Sequence, residues 1–254
     1  GPDAEGLWSG KGIVLGHRRL AILDLDARAN QPMLSADGRY AVVFNGEIYN
    51  FRELRQELEA DGVAFRTTSD TEVLLALFAR EGERMLPRLR GMFAFAIWDT
   101  RSRELFLARD PYGIKPLYYT QTKDGLLFAS QVKALLVSGL VSSVREPAGL
   151  AGFYLWGSVP EPWTLYRGVF ALPAGHFLWV RVGVTEKPVC WHDIRAHWQG
   201  AACETSAREL QEMVRQAVTD SVRAHLVADV PVSVFLSGGI DSGMIAGLAS
   251  QLGA

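Results

Sequence analysis

The chain has 254 residues, 48% of them hydrophobic and 21% charged, which fits a folded protein of one or two domains with real cores. With 26 Lys+Arg against 28 Asp+Glu the net charge is −2, so nothing suggests electrostatic binding to nucleic acid or anionic lipid. No apolar run approaches a membrane span and no signal-peptide pattern opens the chain; the two cysteines, Cys190 and Cys203, cannot build a disulfide framework and fit a reducing cytoplasm.

In chain order, Gly1-Pro2-Asp3 is a turn of mid-loop composition without a leading Met, so a preceding segment is expected. Ile13, Val14 and Leu15 read as one strand and Leu20, Ala21, Ile22 and Leu23 as another, with His17-Arg18-Arg19 at the start of the second. Arg19 is either a solvated rim residue or a guanidinium fork for a carboxylate. Gln31-Pro32-Met33 lies in a loop, and Asp37-Gly38 turns the chain into Ala41-Val42-Val43-Phe44, an apolar, β-branched run that reads as a strand buried on both faces.

That strand runs into Asn45-Gly46-Glu47. Glycine brings backbone N–H groups close to a ligand, and an Asn amide beside a glycine N–H is a donor pair able to hold a developing oxyanion. Glu47 adds a carboxylate suited to an ammonium or an amide NH2. The plainer reading of Asn45-Gly46 is a hairpin turn, and the dipeptide alone favours it. Asn50 and Glu53 have capping-box spacing at the head of a helix through Phe51, Leu54 and Leu58 to Gly62. Thr67-Thr68-Ser69-Asp70 opens a second apolar helix, where Asp70 is a helix-start acid or the receiver of an amino acid's α-ammonium.

Met92 to Trp98 and Leu105 to Ala108 are apolar strands, the second ending at the turn Arg109-Asp110-Pro111-Tyr112-Gly113. Leu117 to Tyr119 and Leu126 to Ala129 are expected to join Leu105 to Ala108 as a meander. Strands in a run with helices placed separately point to sheets covered by helices rather than alternating βαβ units. Lys133 to Val137 reads as a short helix, Val159-Pro160-Glu161-Pro162 as an extended segment, and Phe177 to Val182 as a strand. Residues 191–205 lose periodicity and read as a linker.

A second unit opens at Ser206, which has capping-box spacing to Glu209 ahead of an apolar stripe from Leu210 to Leu226. Val230 to Leu236 reads as a buried strand, delivering Leu236-Ser237-Gly238-Gly239-Ile240-Asp241-Ser242 and then the helix Gly243 to Ala249. A strand, a Ser/Gly loop and a helix N-terminus make an anion site. No Walker lysine and no GxGxxG are present, and the loop suits a pyrophosphate, with Asp241 free to hold Mg²⁺ or to orient the loop. A tight glycine turn is the plainer alternative.

Taken together, Arg19-Leu20-Ala21-Ile22-Leu23-Asp24, Asn45-Gly46-Glu47-Ile48-Tyr49-Asn50, Ser69-Asp70, Gly91-Met92-Phe93-Ala94-Phe95 and Arg109-Asp110-Pro111-Tyr112-Gly113 resemble the glutaminase domain of glutamine-dependent asparagine synthetases. Ser237 to Ser242 resembles the pyrophosphatase loop of that family's synthetase domain. The resemblance implies a four-layer αββα N-terminal-nucleophile sandwich over residues 1–190, a linker at 191–205, and the first helix-strand-helix of an α/β ATP domain at 206–254.

It also implies chemistry. Glutamine is hydrolysed to glutamate and ammonia, and ATP with Mg²⁺ activates aspartate as an acyl-adenylate that ammonia converts to asparagine. Arg19, with Leu20, Ala21, Ile22 and Leu23, would bind the glutamine α-carboxylate end. Asn45 and Gly46 would form the oxyanion hole, and Glu47 and Asp70 would hold the amide and α-ammonium ends. Leu236, Ser237, Gly238, Gly239, Asp241 and Ser242 would meet ATP. The implied nucleophile, an N-terminal cysteine, is expected upstream of Gly1-Pro2-Asp3, so this stretch alone is expected to be catalytically silent. Gln131 departs from the acidic residue usual in the family. Glutamine, aspartate and ATP are the expected partners, and a homodimer is compatible with these readings. The alternatives are a β-lactam-synthetase-like enzyme with a silent glutaminase domain and a non-catalytic amino-acid-binding module.

Overall fold

The computed structural model describes residues 1–181, 183–198 and 205–253. Strands β1 (Ala4–Gly10), β2 (Ile13–Arg19), β3 (Met33–Leu34) and β4 (Tyr40–Ile48) come first, then helices α1 (Phe51–Ala60) and α2 (Asp70–Glu81). Strands β5 (Gly91–Asp99), β6 (Glu104–Arg109), β7 (Tyr118–Thr122) and β8 (Gly125–Ala129) follow, then helices α3 (Val132–Val137) and α4 (Pro147–Trp156). Short strands β9 (Phe170–Ala171), β10 (His176–Arg181), β11 (Val184–Thr185) and β12 (Val189–Cys190) precede α5 (Ile194–Trp198), α6 (Ala207–His225) and α7 (Ile240–Gln251).

The main sheet is antiparallel in the order β11-β10-β6-β5-β4-β3, with β12 also on β10. Its side chains alternate between two cores, as the period of two demands. Val42, Phe44, Ile48, Phe93, Phe95, Ile97 and Phe106 face α1 and α2, where Leu54, Leu58, Leu74 and Leu77 close the layer. Ala41, Val43, Ala94, Ala96, Leu105 and Leu107 face the other way, onto Leu15 of β2 and the β7-β8 side chains Tyr119, Leu126 and Phe128. Helix α3 lies against β8. The result is a helix–sheet–sheet–helix stack, and α1 docks because Phe51, Leu54 and Leu58 recur on one face.

Several expectations change. Leu20 to Leu23 is a loop, not a strand: β2 continues to Arg19, fully paired with β1, and none of the described strands pairs with the residues that follow. The meander does not extend from β6, because β10 takes that edge with Leu107 opposite Leu178, and β7, β8 and β9 form a sheet of their own. Asn50 does not cap α1 through its side chain; its amide donates to Arg88 O and its oxygen accepts from Arg90 N, both at 2.9 Å. Asp70 does stand in the first turn of α2 as a helix-start acid, while the cap itself is Ser69, its hydroxyl accepting from Glu72 N at 3.3 Å.

The capping box expected at Ser206 forms, with both of its bonds to Glu209 made at the head of α6. Val230 to Leu236, however, is irregular and largely exposed rather than a buried strand, and Phe235 is fully exposed. A strand exists only by pairing, and none of the described strands runs beside it. Trp191, at the start of the expected linker, packs on the α1/α2-side core with its ring 6.1 Å from Phe93, and α5 forms within that linker. Val182 and residues 199–204, Cys203 among them, lie outside the described residues.

Candidate functional site

The site grows from the outer edge of β4. Phe93, opposite Gly46, spends its own N–H and C=O on Asp110, so Gly46 and its even-numbered neighbours turn theirs away from β5. Strand β3 covers this edge only at Ala41 and Val42. Beyond it, side chains take over. Gln31 Oε1 accepts from Phe44 N at 2.6 Å, His17 Nε2 donates to Phe44 O at 3.1 Å, and Asp70 Oδ2 accepts from Ile48 N at 3.0 Å. The N–H of Gly46, between two capped donors, is left facing a cavity of about 190 Å³.

That cavity is lined by Arg19, Leu20, Ile22, Leu23, Asn45, Gly46, Glu47 and Asp70, eight of the nine expected residues. Ala21 is not in its wall; its N–H donates to Asp3 Oδ2 at 2.8 Å. Gly46 is required by contact: a Cβ there would sit 2.1 Å from Met92 O and 2.7 Å from Phe93 Cα. Asn45 and Glu47, two apart, share a face of β4, and Lys115 reaches the same cavity from the turn after β6.

The charges are set by burial. Asp70 is 5% exposed, and burial pushes its carboxyl up to about 6, with Glu47 adding repulsion against the bond from Ile48 N. Burial also raises Glu47, which Lys115 and His225 partly offset. Burial holds His17 below its usual value, against the bond from its Nε2 to Phe44 O, and the nearby Arg19 charge adds to the lowering. The His17 Nδ1 is buried without a partner among the described residues.

Arg19 departs from expectation. Its Nη1 donates to Asp26 O and Asn30 Oδ1, and its Nη2 to Leu23 O and Asp24 O. All four terminal N–H groups are spent on its own loop, so a bidentate grip on a ligand is closed and only Nε remains. The turn Arg109-Asp110-Pro111-Tyr112-Gly113 is likewise a structural knot. The fully buried Asp110 accepts from the N–H groups of Phe93, Tyr112, Ile114 and Lys115, while Arg109 donates to Gly113 O, Lys115 O and Leu172 O. It places Lys115 in the cavity wall, where its charge lowers the Glu47 carboxyl. His17, Gln31, Thr71 and Lys115 also line the cavity, and no motif in the sequence singles them out for it.

The Ser237 loop is exposed. Gly238 takes φ +78°, where a side chain is disfavoured, and Gly239 caps α7 without a side-chain bond. Ser237 and Ser242 hydroxyls lie 3.0 Å apart, and Asp241 occupies the first turn. Two exposed hydroxyls at the start of a 12-residue helix fit a phosphate donor set, although the N–H groups of Ser237 and Gly239 donate to those hydroxyls here. Asp241 is a lone carboxylate, and no cluster of three or more metal-ligating residues exists among the described residues. No described helix is long and apolar enough to cross a membrane.

Comparison with known proteins agrees with this geometry. Residues 1–191 match the family described as glutamine amidotransferase domain, and residues 213–254 match asparagine synthase. The chain is 42% identical over 253 residues to asparagine synthetase [glutamine-hydrolyzing] 1 of Bacillus subtilis, covering 99% of this chain and 39% of that protein. It is 38% identical over 259 residues to the amidase chry2 of Gibberella zeae, covering 99% of this chain and 37% of that one. The chain thus spans well under half the length of these relatives. Among solved structures, the glutamine phosphoribosylpyrophosphate amidotransferase from B. subtilis superposes with a TM-score of 0.51 at 26% identity, over 70% of this chain and 34% of that one. The layered N-terminal-nucleophile fold and the match over residues 1–191 place this chain in the glutamine amidotransferase domain family.

Proposed function

We propose that the protein carrying this chain is a glutamine-hydrolysing asparagine synthase, with the glutamine pocket on β4 and the start of the ATP site in the Ser237 loop. The observation that carries the reading is the Gly46 N–H, open to the cavity beside the Asn45 amide while its neighbours on the same edge are capped. These two donors would receive the oxyanion that forms when the glutamine side-chain amide is attacked. Asp70 and Glu47 would hold the α-ammonium and amide ends. Leu20, Ile22 and Leu23 would wall the α-carboxylate end, with Arg19 contributing Nε and fixing the loop.

The attacking nucleophile is not a described cysteine. None lines the cavity, and Cys190 is exposed on β12, four strands from β4. In this reading the upstream cysteine implied by the family resemblance supplies it. At the second site, Ser237, Gly238, Gly239 and Ser242 would hold the phosphates of ATP, beside Leu236, and Asp241 would hold Mg²⁺. ATP supplies the activation of an aspartate carboxylate for attack by ammonia. The cytoplasm is the compartment this reading assumes, and a homodimer remains compatible with it.

The test is glutamate release from glutamine by the full-length gene product, with and without Asn45→Ala. Losing one oxyanion donor is expected to slow hydrolysis by roughly 10²–10³-fold in a protein that stays folded. An unchanged rate would reduce Asn45 to a turn residue. Absence of glutaminase activity in the wild type would favour the silent-domain alternative.

A further inference from the structure

We propose that Asp229 is a positioning residue for the glutamine pocket, clamping the loop between β2 and β3 from the unit that carries the Ser237 loop. The inference rests on the glutaminase reading for its functional meaning, though not for its geometry. Asp229 grips this loop twice. Its N–H donates to Ile22 O at 2.9 Å, and its Oδ2 accepts from Asp24 N at 2.7 Å. These are contacts between segments 205 residues apart in sequence.

The clamp is anchored on its own side. Val227 packs on the α1/α2-side core, the His225 ring lies 4.4 Å from that of Tyr49, and Asp220 pairs with Arg90. The end of α6 and the turn after it are therefore seated on the first unit before the chain runs on to Ser237.

On the other side, Asp24 is a hub. It sits at φ +51°, a left-handed conformation that a residue other than glycine keeps only when its surroundings fix it. Its Oδ2 accepts from Thr68 N at 2.6 Å and Thr68 Oγ1 at 3.0 Å, its Oδ1 accepts from Asp26 N at 3.1 Å, and its carbonyl accepts from Arg19. Thr68 stands two residues before Asp70, and Ile22 and Leu23 line the cavity. Asp229 itself is not in the cavity wall. By fixing the Asp24 N–H and the Ile22 carbonyl it sets Arg19, the Ile22–Leu23 wall and the approach to Asp70 together.

Hydrogen–deuterium exchange on this chain and steady-state kinetics on the full-length protein test the proposal, comparing Asp229→Ala with Asp229→Asn. The alanine variant is expected to exchange faster across residues 20–30 and 66–70, with α1 and β5 unchanged. It is also expected to raise the KM for glutamine roughly fivefold while kcat stays within about twofold. Asn keeps an acceptor oxygen for the Asp24 N–H and is expected to restore both. Faster exchange confined to residues 225–236, with an unchanged glutamine KM, would overturn the clamp. If the wild type releases no glutamate, the glutaminase reading fails and the exchange data alone decide the clamp. Should the alanine variant not fold, Asp229→Glu, which displaces the carboxylate by one methylene, takes its place; undisturbed protection at residues 20–30 would then overturn the proposal.

Discussion

A carboxylate that must receive an ammonium is useful only when ionised, and Asp70 is held near 6 by its burial. Because its folded value lies above the unfolded one of about 3.9, the neutral form suits the empty pocket. The stability it contributes is complete below that unfolded value and is lost as pH rises through about 6. Glutamine binding runs the other way, since the α-ammonium selects the ionised form. The kcat/KM for glutamine is therefore expected to climb as pH rises to about 6 and to level off above it, as a pH–rate series on the full-length protein would read. Asp70→Asn is expected to flatten that acidic limb and weaken glutamine-dependent turnover while sparing ammonia-dependent synthesis. Equal loss of both activities would remove Asp70 from the pocket's chemistry.

At the scale of elements, α2 is pinned to the main sheet by an aromatic cluster on the face that the sheet turns to α1 and α2. Phe106, fully buried on β6, lies 4.7–6.0 Å by ring centroid from Phe78, Phe95, Phe177 and Trp179. Phe106→Ala is expected to cost about 3–5 kcal/mol of unfolding free energy, measured by denaturant titration, because helix α2 and strands β5 and β10 all lose a partner at once. The buried strands β4 and β5 were legible in the sequence, since residues apolar on both faces have few other homes. So was the helix start at Ser206, whose capping box is made of short-range bonds. What escaped depends on partners remote in sequence. The apolar run Leu20 to Leu23 looks like a strand until it has no neighbour to pair with, and Val230 to Leu236 fails for the same reason. Asn50 has the spacing of a cap, yet Arg88 and Arg90 arrive from the segment before β5 and take its amide. Most of the pocket wall was readable as residue types, but the use of Arg19 was not. A guanidinium suits a ligand carboxylate and a set of loop carbonyls equally well, and only the fold chooses.

For the whole molecule, both cores are drawn almost entirely from residues up to Leu178, with Trp191 and Val227 packed at the margin. A chain cut after Trp198 is therefore expected to melt within about 4 °C of the full 254-residue chain by calorimetry. Loss of the cooperative transition would mean that α6 and the turn after it are integral to the first unit. The capped edge of β4 also bears on how copies of the molecule meet. An open sheet edge is a template on which any extended segment can add, and long ones invite aggregation. Here His17, Gln31 and Asp70 occupy the outward groups on both sides of Gly46, so the opening is one residue wide. A foreign strand needs several alternating donors and acceptors in a row to gain a foothold, whereas a single oxygen atom needs only one. The same three side chains that frame the site for a small molecule thus keep polypeptide out of it.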